Sequence, residues 1–330
     1  MPEFPSPTTV AIPGFVFFVA LEYWAVKTGR AKGRYETADA LTSLAMGLGN
    51  VVVNTLTGFI GVALFMAFWD YRIYEFPMTG AGFWLSFALC FVLYDFVYYW
   101  KHRFAHRVRW FWAEHITHHS SRHYNLTTAL RQPWYGPLTG LIIVGAPMAL
   151  IGFHPALIFF AGGVNLVYQF WIHTESIDRL PAWVEAIFNT PSHHRVHHGT
   201  NPRYLDANYA GVFIVWDKMF GSFVPELDED RPEYGLVKNI SSYNPIFVAY
   251  HELAALMRDC ARDGFKPIRW IKRFANPPGW SPDGAHERSV DLKRAYLVSH
   301  PAAAGTPGLP RRLAAPAPQS TRSQESVRIQ

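Results

Sequence analysis

Charge is scarce in this sequence. Asp, Glu, Lys and Arg make up only 17% of its 330 residues, against about 25% in an average soluble chain. Cysteine is scarcer still. Cys90 and Cys260 are the only two, and Cys90 lies inside an apolar run, so a disulfide framework is not expected. No phosphate-binding P-loop, no glycine-rich dinucleotide fingerprint and no internal repeat occurs. The HExxH pattern of zincin proteases is missing, as is the ExxH pair of carboxylate-bridged di-iron bundles. The opening stretch MPEFPSPTTV lacks the basic n-region of a cleaved signal peptide, so the first apolar run is expected to be retained.

What the sequence has in abundance is apolar surface. Hydrophobic residues make up 50% of the chain and aromatics 16%. They gather in blocks at Val10–Val26, Leu41–Trp69, Phe83–Trp100, Pro137–Phe153 and Pro155–Ile172. The longer blocks reach the roughly 20 residues needed to cross a bilayer. The last two, parted only by His154, read as a hairpin that enters and returns. The net charge of +5 comes from basic residues that flank these blocks, which fits membrane topology better than nucleic-acid binding.

Lys27, Arg30, Lys32 and Arg34 follow the first block, and Lys101, Arg103, Arg107 and Arg109 follow the third, whereas 70–82 carries only Arg72. The positive-inside rule therefore places the 101–136 region and everything after His173 on the cytoplasmic side. The expected fold is an all-α integral membrane protein. Four to five transmembrane helices carry a cytosolic helical cap.

Four units are expected along the chain: an N-terminal spanning segment with its basic loop (1–40), a catalytic domain (41–240), amphipathic membrane-surface helices (241–276) and a disordered tail (277–330). The third unit contains the basic, aromatic stretch KPIRWIKRF at 266–274. The tail is rich in Pro, Gly, Ala and Ser.

Histidines supply the chemistry. Of fifteen, most fall in three boxes: HRFAH with His102 and His106, HITHH with His115, His118 and His119, and HRVHH with His194, His197 and His198, preceded by His193. His173 ends the fifth apolar block. Residues three and four apart share a helix face, so each box is expected to present two or three imidazoles to one metal. The apolar blocks deliver all four groups to a single membrane boundary. Nine or ten imidazoles exceed what one ion takes, so a dimetal site is expected. A lone histidine is more often structural, and that reading is kept for His123, His154, His251, His286 and His300.

Four stretches carry a family resemblance: DFVYYWKHRFAH (95–106), EHITHHSS (114–121), SHHRVHHGTN (192–201) and NYAGVFIVWDKMFGSF (208–223). They resemble the fatty acid hydroxylase and sterol desaturase superfamily. The stretches HYNLTTALRQ (123–132), NLVYQFWIHTE (165–175) and NTPSHHRVHHGTN (189–201) are most similar to its alkylglycerol monooxygenase branch. Arg107 departs from that branch, which has an acidic residue after the first box.

The resemblance implies two ferrous ions held by the histidines above, O2 as oxidant, and hydroxylation of a lipid C–H bond, here the O-alkyl carbon of an ether lipid. It also implies an external reductant, tetrahydrobiopterin in that branch, or a separate electron-donor protein. Asp95, two helical turns before His102, is expected to orient a metal-bound imidazole by accepting its outer N–H, or else to face another spanning helix; Glu114, Asn125, Arg131, Glu175 and Asp217 are further candidates for the shell around the ligands. A sterol or fatty acyl substrate at the same site stays open, as do a zinc-dependent membrane hydrolase and a non-catalytic metal-binding protein.

Overall fold

The structure is a computed structural model and describes residues 4–314. It is all-helical. The first three helices are long: α1 (Pro7–Lys27), α2 (Thr37–Trp69) and α3 (Gly80–Arg107). Helix α1 starts where Ser6 caps it, accepting from the Thr9 amide, with Pro7 in the first turn. At 1.5 Å per residue α3 runs about 42 Å, longer than the roughly 30 Å hydrocarbon core. Its last turns therefore emerge from the apolar layer, and they carry His102 and His106. Val16, Phe17, Leu48, Val52, Leu56, Trp84 and Leu85 are exposed on these helices, as expected of faces that meet lipid tails.

Among the described residues, these three helices are the ones long and apolar enough to cross a membrane. The expected fourth crossing, 137–153, is broken into α5 (Gly136–Thr139), a 3-10 turn at Leu141–Gly145 and α6 (Pro147–Ile151). The reason is local. Gly140 (φ 81°) and Gly152 (φ 127°) adopt conformations that a side chain disfavours, and Pro147 restarts the helix. A Cβ on Gly152 would lie 2.2 Å from the Tyr74 carbonyl oxygen.

Helix α7 (Pro155–Trp171) follows, about 25 Å long by the same rise. It packs on α1 and α3. Phe65, Trp69, Cys90, Met148, Phe153, Leu157 and Ile158 form the buried core between α2, α3, α6 and α7.

The cap is built at the C-terminal ends of α3 and α7. It comprises α4 (Arg109–His119), α8 (Ala182–Ile187), α9 (Pro191–His197), α10 (Val215–Phe220), α11 (Pro245–Asp263) and α12 (Pro267–Ala275). Helix α11 covers α4, and Arg109 fastens the two through Glu252 (2.8 Å) and Asp259 (2.7 Å).

The stretch 277–314, expected to be disordered, is ordered. It carries α13 (Ser289–Ser299), capped by Asp291, whose carboxylate accepts from the Arg288 amide (3.1 Å) and guanidinium (2.7 Å), and anchored by buried Leu297 and Leu309. Lys293 Nζ also donates to the Arg203 and Gly308 carbonyls, at 3.3 and 3.0 Å. Residues 315–330 of the expected tail lie outside the described residues. Both cysteines are free and buried.

Candidate metal centre

Nine of the ten predicted histidines come together at the shared end of α3 and α7. They form two groups: His102, His106, His115, His119 and His197, and His118, His173, His194 and His198, with the candidate ligand atoms of each group within 4.8 Å of one another. The boxes do not map one to one onto the groups, which corrects the expectation from spacing. The i,i+4 pairs stay together: His102/His106, His115/His119 and His194/His198. Their neighbours His118 and His197 cross to the other group, because adjacent helix positions point about 100° apart. Each of α4 and α9 thus serves both groups.

Hydrogen bonding fixes the tautomers. Nδ1–H of His102 donates to the Tyr209 carbonyl (2.8 Å), of His118 to Arg131 (3.3 Å), of His173 to Gln169 (2.7 Å) and of His197 to Ala207 (2.9 Å). A carbonyl only accepts, so in each ring Nδ1 carries the proton and Nε2 presents a lone pair. Yet His118 Nε2 and His173 Nε2 lie 3.1 Å apart. Two lone pairs at that distance repel unless a cation lies between them.

The Nε2 contacts His102–His115 (3.0 Å), His115–His119 (3.1 Å), His119–His197 (3.1 Å) and His173–His194 (3.0 Å) are equally short, and His102, His197 and His173 bring the same inward lone pair to three of them. A separation near 3.0 Å suits two imidazoles on one ion, given metal–nitrogen bonds of about 2.1 Å at right angles. His106 Nε2, His194 Nδ1 and His198 Nε2 are buried with no hydrogen-bond partner. The residues fit two metal ions held by nitrogen alone. Burial holds His115, His119, His173, His194, His197 and His198 well below the ordinary histidine pKa and His118 down to about 4, the neutral form that a metal needs.

Residues 87–222, which hold both histidine groups, match the fatty acid hydroxylase family. That region carries the histidine boxes of the fatty acid hydroxylase/sterol desaturase superfamily. The chain is similar to alkylglycerol monooxygenases. Identity to that of Homo sapiens is 40% over 285 residues, covering 85% of this chain and 61% of the relative. For Xenopus tropicalis it is 39% over 285 residues, covering 86% and 60%. For Caenorhabditis elegans it is 35% over 278 residues, covering 81% and 54%. The chain therefore spans between 54% and 61% of the length of these relatives. No solved structure matches.

Around this fatty acid hydroxylase-like region the outer shell differs from expectation. Asp95 and Asp217 accept from no imidazole. They hold the 207–213 loop whose carbonyls do. Asp217 takes the Tyr209 and Ala210 amides, both at 2.8 Å, and burial pushes its carboxyl up to about 6. Asp95 takes the Val212 amide (2.7 Å), the Phe213 amide (2.9 Å), Trp216 Nε1 (2.9 Å) and Asn165 (2.7 Å). The same loop stores strain at Asp206 and Asn208, with φ of 56° and 55°.

Asn125 closes its own turn through Thr127 and donates to the Arg34 carbonyl (3.0 Å). Arg131 supplies its carbonyl to His118 while its guanidinium pairs with buried Asp39 at 2.8 Å. Glu175 lines a surface cavity with Tyr234 and Arg195, and burial raises its pKa. Tyr234 in turn stacks on Tyr124 at 4.9 Å. Glu114 touches no ligand ring through a hydrogen bond. Burial pushes it up to about 7, opposed by Thr139 and Lys101. His193 stands outside both groups. Its Nδ1 meets the Phe188 carbonyl (3.2 Å) and its Nε2 lies 3.7 Å from Glu185, because α9 turns it toward a surface cavity shared with Lys218 and Phe223.

Three carboxylates were missed from sequence. Glu22 of α1 is buried and accepts from Tyr35, Thr174 and the Leu126 amide (2.8 Å). Asp39 of α2 holds Arg131 and Ser121. Asp206 lies 3.8 Å from His106 Nδ1 and 3.2 Å from Arg107. For Glu22 and Asp39 the available signal was an ionisable residue inside or beside an apolar block.

Proposed function

We propose that this chain is a membrane-bound di-iron monooxygenase that hydroxylates the O-alkyl carbon of a glycerol ether lipid. The observation that carries the reading is the double histidine cage, with lone pairs facing inward on two centres, in a chain similar to alkylglycerol monooxygenases. Imidazole-only sets of five and four exceed the three protein ligands typical of catalytic zinc, which favours iron over the zinc-hydrolase reading.

When bound, the iron pair supplies the O2 chemistry that inserts one oxygen atom into a C–H bond, the other leaving as water with two electrons and two protons from an external reductant. The product of hydroxylation beside an ether oxygen is a hemiacetal, which separates into an aldehyde and a glycerol. The chain's part is to gather nine imidazoles, four of them held in a fixed tautomer by the Tyr209, Arg131, Gln169 and Ala207 carbonyls, to exclude water by burial, and to seat the site at the end of the spanning helices. A lipid tail then reaches it without crossing water.

We read the α5–α7 segment as a hairpin that enters and leaves on the histidine side, giving four to five membrane segments. The basic residues following α1 and α3 support a cytoplasmic location for that side. Tetrahydrobiopterin is proposed as the reductant.

The test is oxygen uptake by iron-loaded protein on 1-O-hexadecylglycerol with tetrahydrobiopterin. Fatty aldehyde release that requires O2 supports the reading. Zinc in the purified protein with oxygen-independent turnover, or a new sterol double bond with no aldehyde, defeats it.

A further inference from the structure

Helix α11 lies across the histidine side of the spanning helices rather than along them. Its start meets α2 early in that helix. Thr42 Oγ1 donates to the Tyr243 carbonyl at 2.8 Å, and Met46 packs with Val248 and Ala249. Further along, Glu252 and Asp259 hold Arg109, just past the end of α3. With α2 and α3 both crossing, the start of one and the end of the other lie on the same side. A 19-residue helix of about 28 Å that joins them therefore runs parallel to the bilayer plane. Leu41, Leu44 and Leu48, beside the α2 contact, are exposed, so that contact sits at the edge of the apolar layer.

Helix α12 is tied to the same level. The Arg109 amide donates to the Asn276 carbonyl at 3.0 Å, Phe274 packs on Trp110 with 5.3 Å between ring centres, and Trp270 Nε1 donates to the Cys260 carbonyl at 2.9 Å.

The faces turned away from the protein are apolar. On α11, Ile246, Tyr250, Leu253 and Met257 recur at helical spacing, and Ile246, Tyr250 and Met257 are exposed. At α12, Phe265 is 85% exposed, Ile268 72% and Ile271 66%. Apolar side chains grouped in this way mark a contact surface. Its rim is basic. Arg258, Lys266 and Lys272 are exposed and make no ion pair among the described residues. The carboxylates of the two helices are already engaged, Glu252 and Asp259 by Arg109 and Asp263 by Arg273. The outward charge is therefore positive.

We propose that α11 and α12 lie in the headgroup layer of the leaflet on the histidine side and bind anionic phospholipid there. Ile246, Met257, Ile268 and Ile271 sink among the upper acyl carbons, and Arg258, Lys266 and Lys272 meet the headgroup phosphates. An amphipathic helix with a basic polar edge takes this position, and its bases select anionic over neutral lipid. The contact reaches the metal site through α4, which α11 and α12 cover. The helix carrying His115, His118 and His119 is thereby pinned to the membrane surface.

Fluorescence at one position tests this without turnover. Cys90 and Cys260 are buried, so a bimane is placed on Ile271→Cys in the iron-loaded full-length chain. The chain is reconstituted in phosphatidylcholine nanodiscs with a small fraction of phosphatidylglycerol or phosphatidylcholine bearing a nitroxide high on one acyl chain. Both lipids are expected to quench, phosphatidylglycerol at about tenfold lower content, within what three surface bases supply. Replacing Arg258, Lys266 and Lys272 together by Gln, or adding salt to about 1 M, is expected to remove the preference and keep the quenching.

No quenching by either lipid overturns the seating of the two helices. Equal quenching by the two lipids with all three bases present, or a preference that survives their replacement, overturns the anionic binding. Quenching instead by a nitroxide at position 271 of a second copy makes this face a contact between chains and overturns both.

Discussion

Asp39 and Arg131 form an ion pair of 2.8 Å in which both side chains are almost completely buried. The pair joins α2 to the loop whose Arg131 carbonyl orients His118. Removing one partner strands a buried charge, at a cost of about 3–5 kcal/mol. Asp39→Ala is therefore expected to lower thermal stability in detergent and to release metal from the His118 group first. Iron content and unfolding temperature measured together check this, and a variant with full iron and unchanged melting removes Asp39 from the support of the site.

Asp217 acts on the other group through the backbone. Asp217→Ala frees the Tyr209 and Ala210 amides and loosens the carbonyls that hold His102 and His197. Loss of such outer partners typically costs about 10–100-fold in metal affinity or activity. Metal titration should show weakened binding of one ion of two. Equal weakening of both points to general unfolding instead.

Neighbouring histidines on α9 should behave oppositely. His194→Ala removes a member of the second group and is expected to abolish turnover. His193→Ala, one residue earlier, should keep two irons and most of the activity, because that ring faces Phe188 and Glu185. Equal inactivation of the two variants contradicts the grouping.

Acid should empty the cage. Burial depresses the grouped histidines below the ordinary value of 6.5, His118 to about 4. In the unfolded chain these rings take up protons below about pH 6.5, whereas in the folded chain they resist. Stability is thus fully present above about pH 6.5 and is lost progressively as pH falls toward 4. Metal loss should follow the same course. Iron retained after long incubation at pH 4 speaks against an imidazole cage.

The spacing of the boxes was enough to single out eight of the nine grouped histidines, because residues three and four apart share a helix face wherever the helix lies, and the end of the fifth apolar block supplied His173. Which ion each ring approaches was not readable, since it depends on how α4 and α9 are rotated against α3. The outer shell was misread for a related reason. Side chains are visible in a sequence, but the acceptors here are carbonyls of Tyr209, Ala207, Gln169 and Arg131, and Asp95 and Asp217 matter through amides seventy or more residues away or just next door. The fourth apolar block looked continuous by hydropathy. Gly140, Pro147 and Gly152 break it, a signal that was present but outweighed by length.

Glu22 extends the definition of the site beyond its histidines. The family match begins at residue 87, and a fragment trimmed to 87–222 would contain every clustered imidazole. It would nevertheless lose the carboxylate that ties Leu126 and Thr174 together, and with it the restraint on the segments that bear His118 and His173. The smallest working unit therefore includes a helix that contributes no ligand, and expression boundaries drawn from motif conservation alone should yield a chain that inserts but holds its ions poorly.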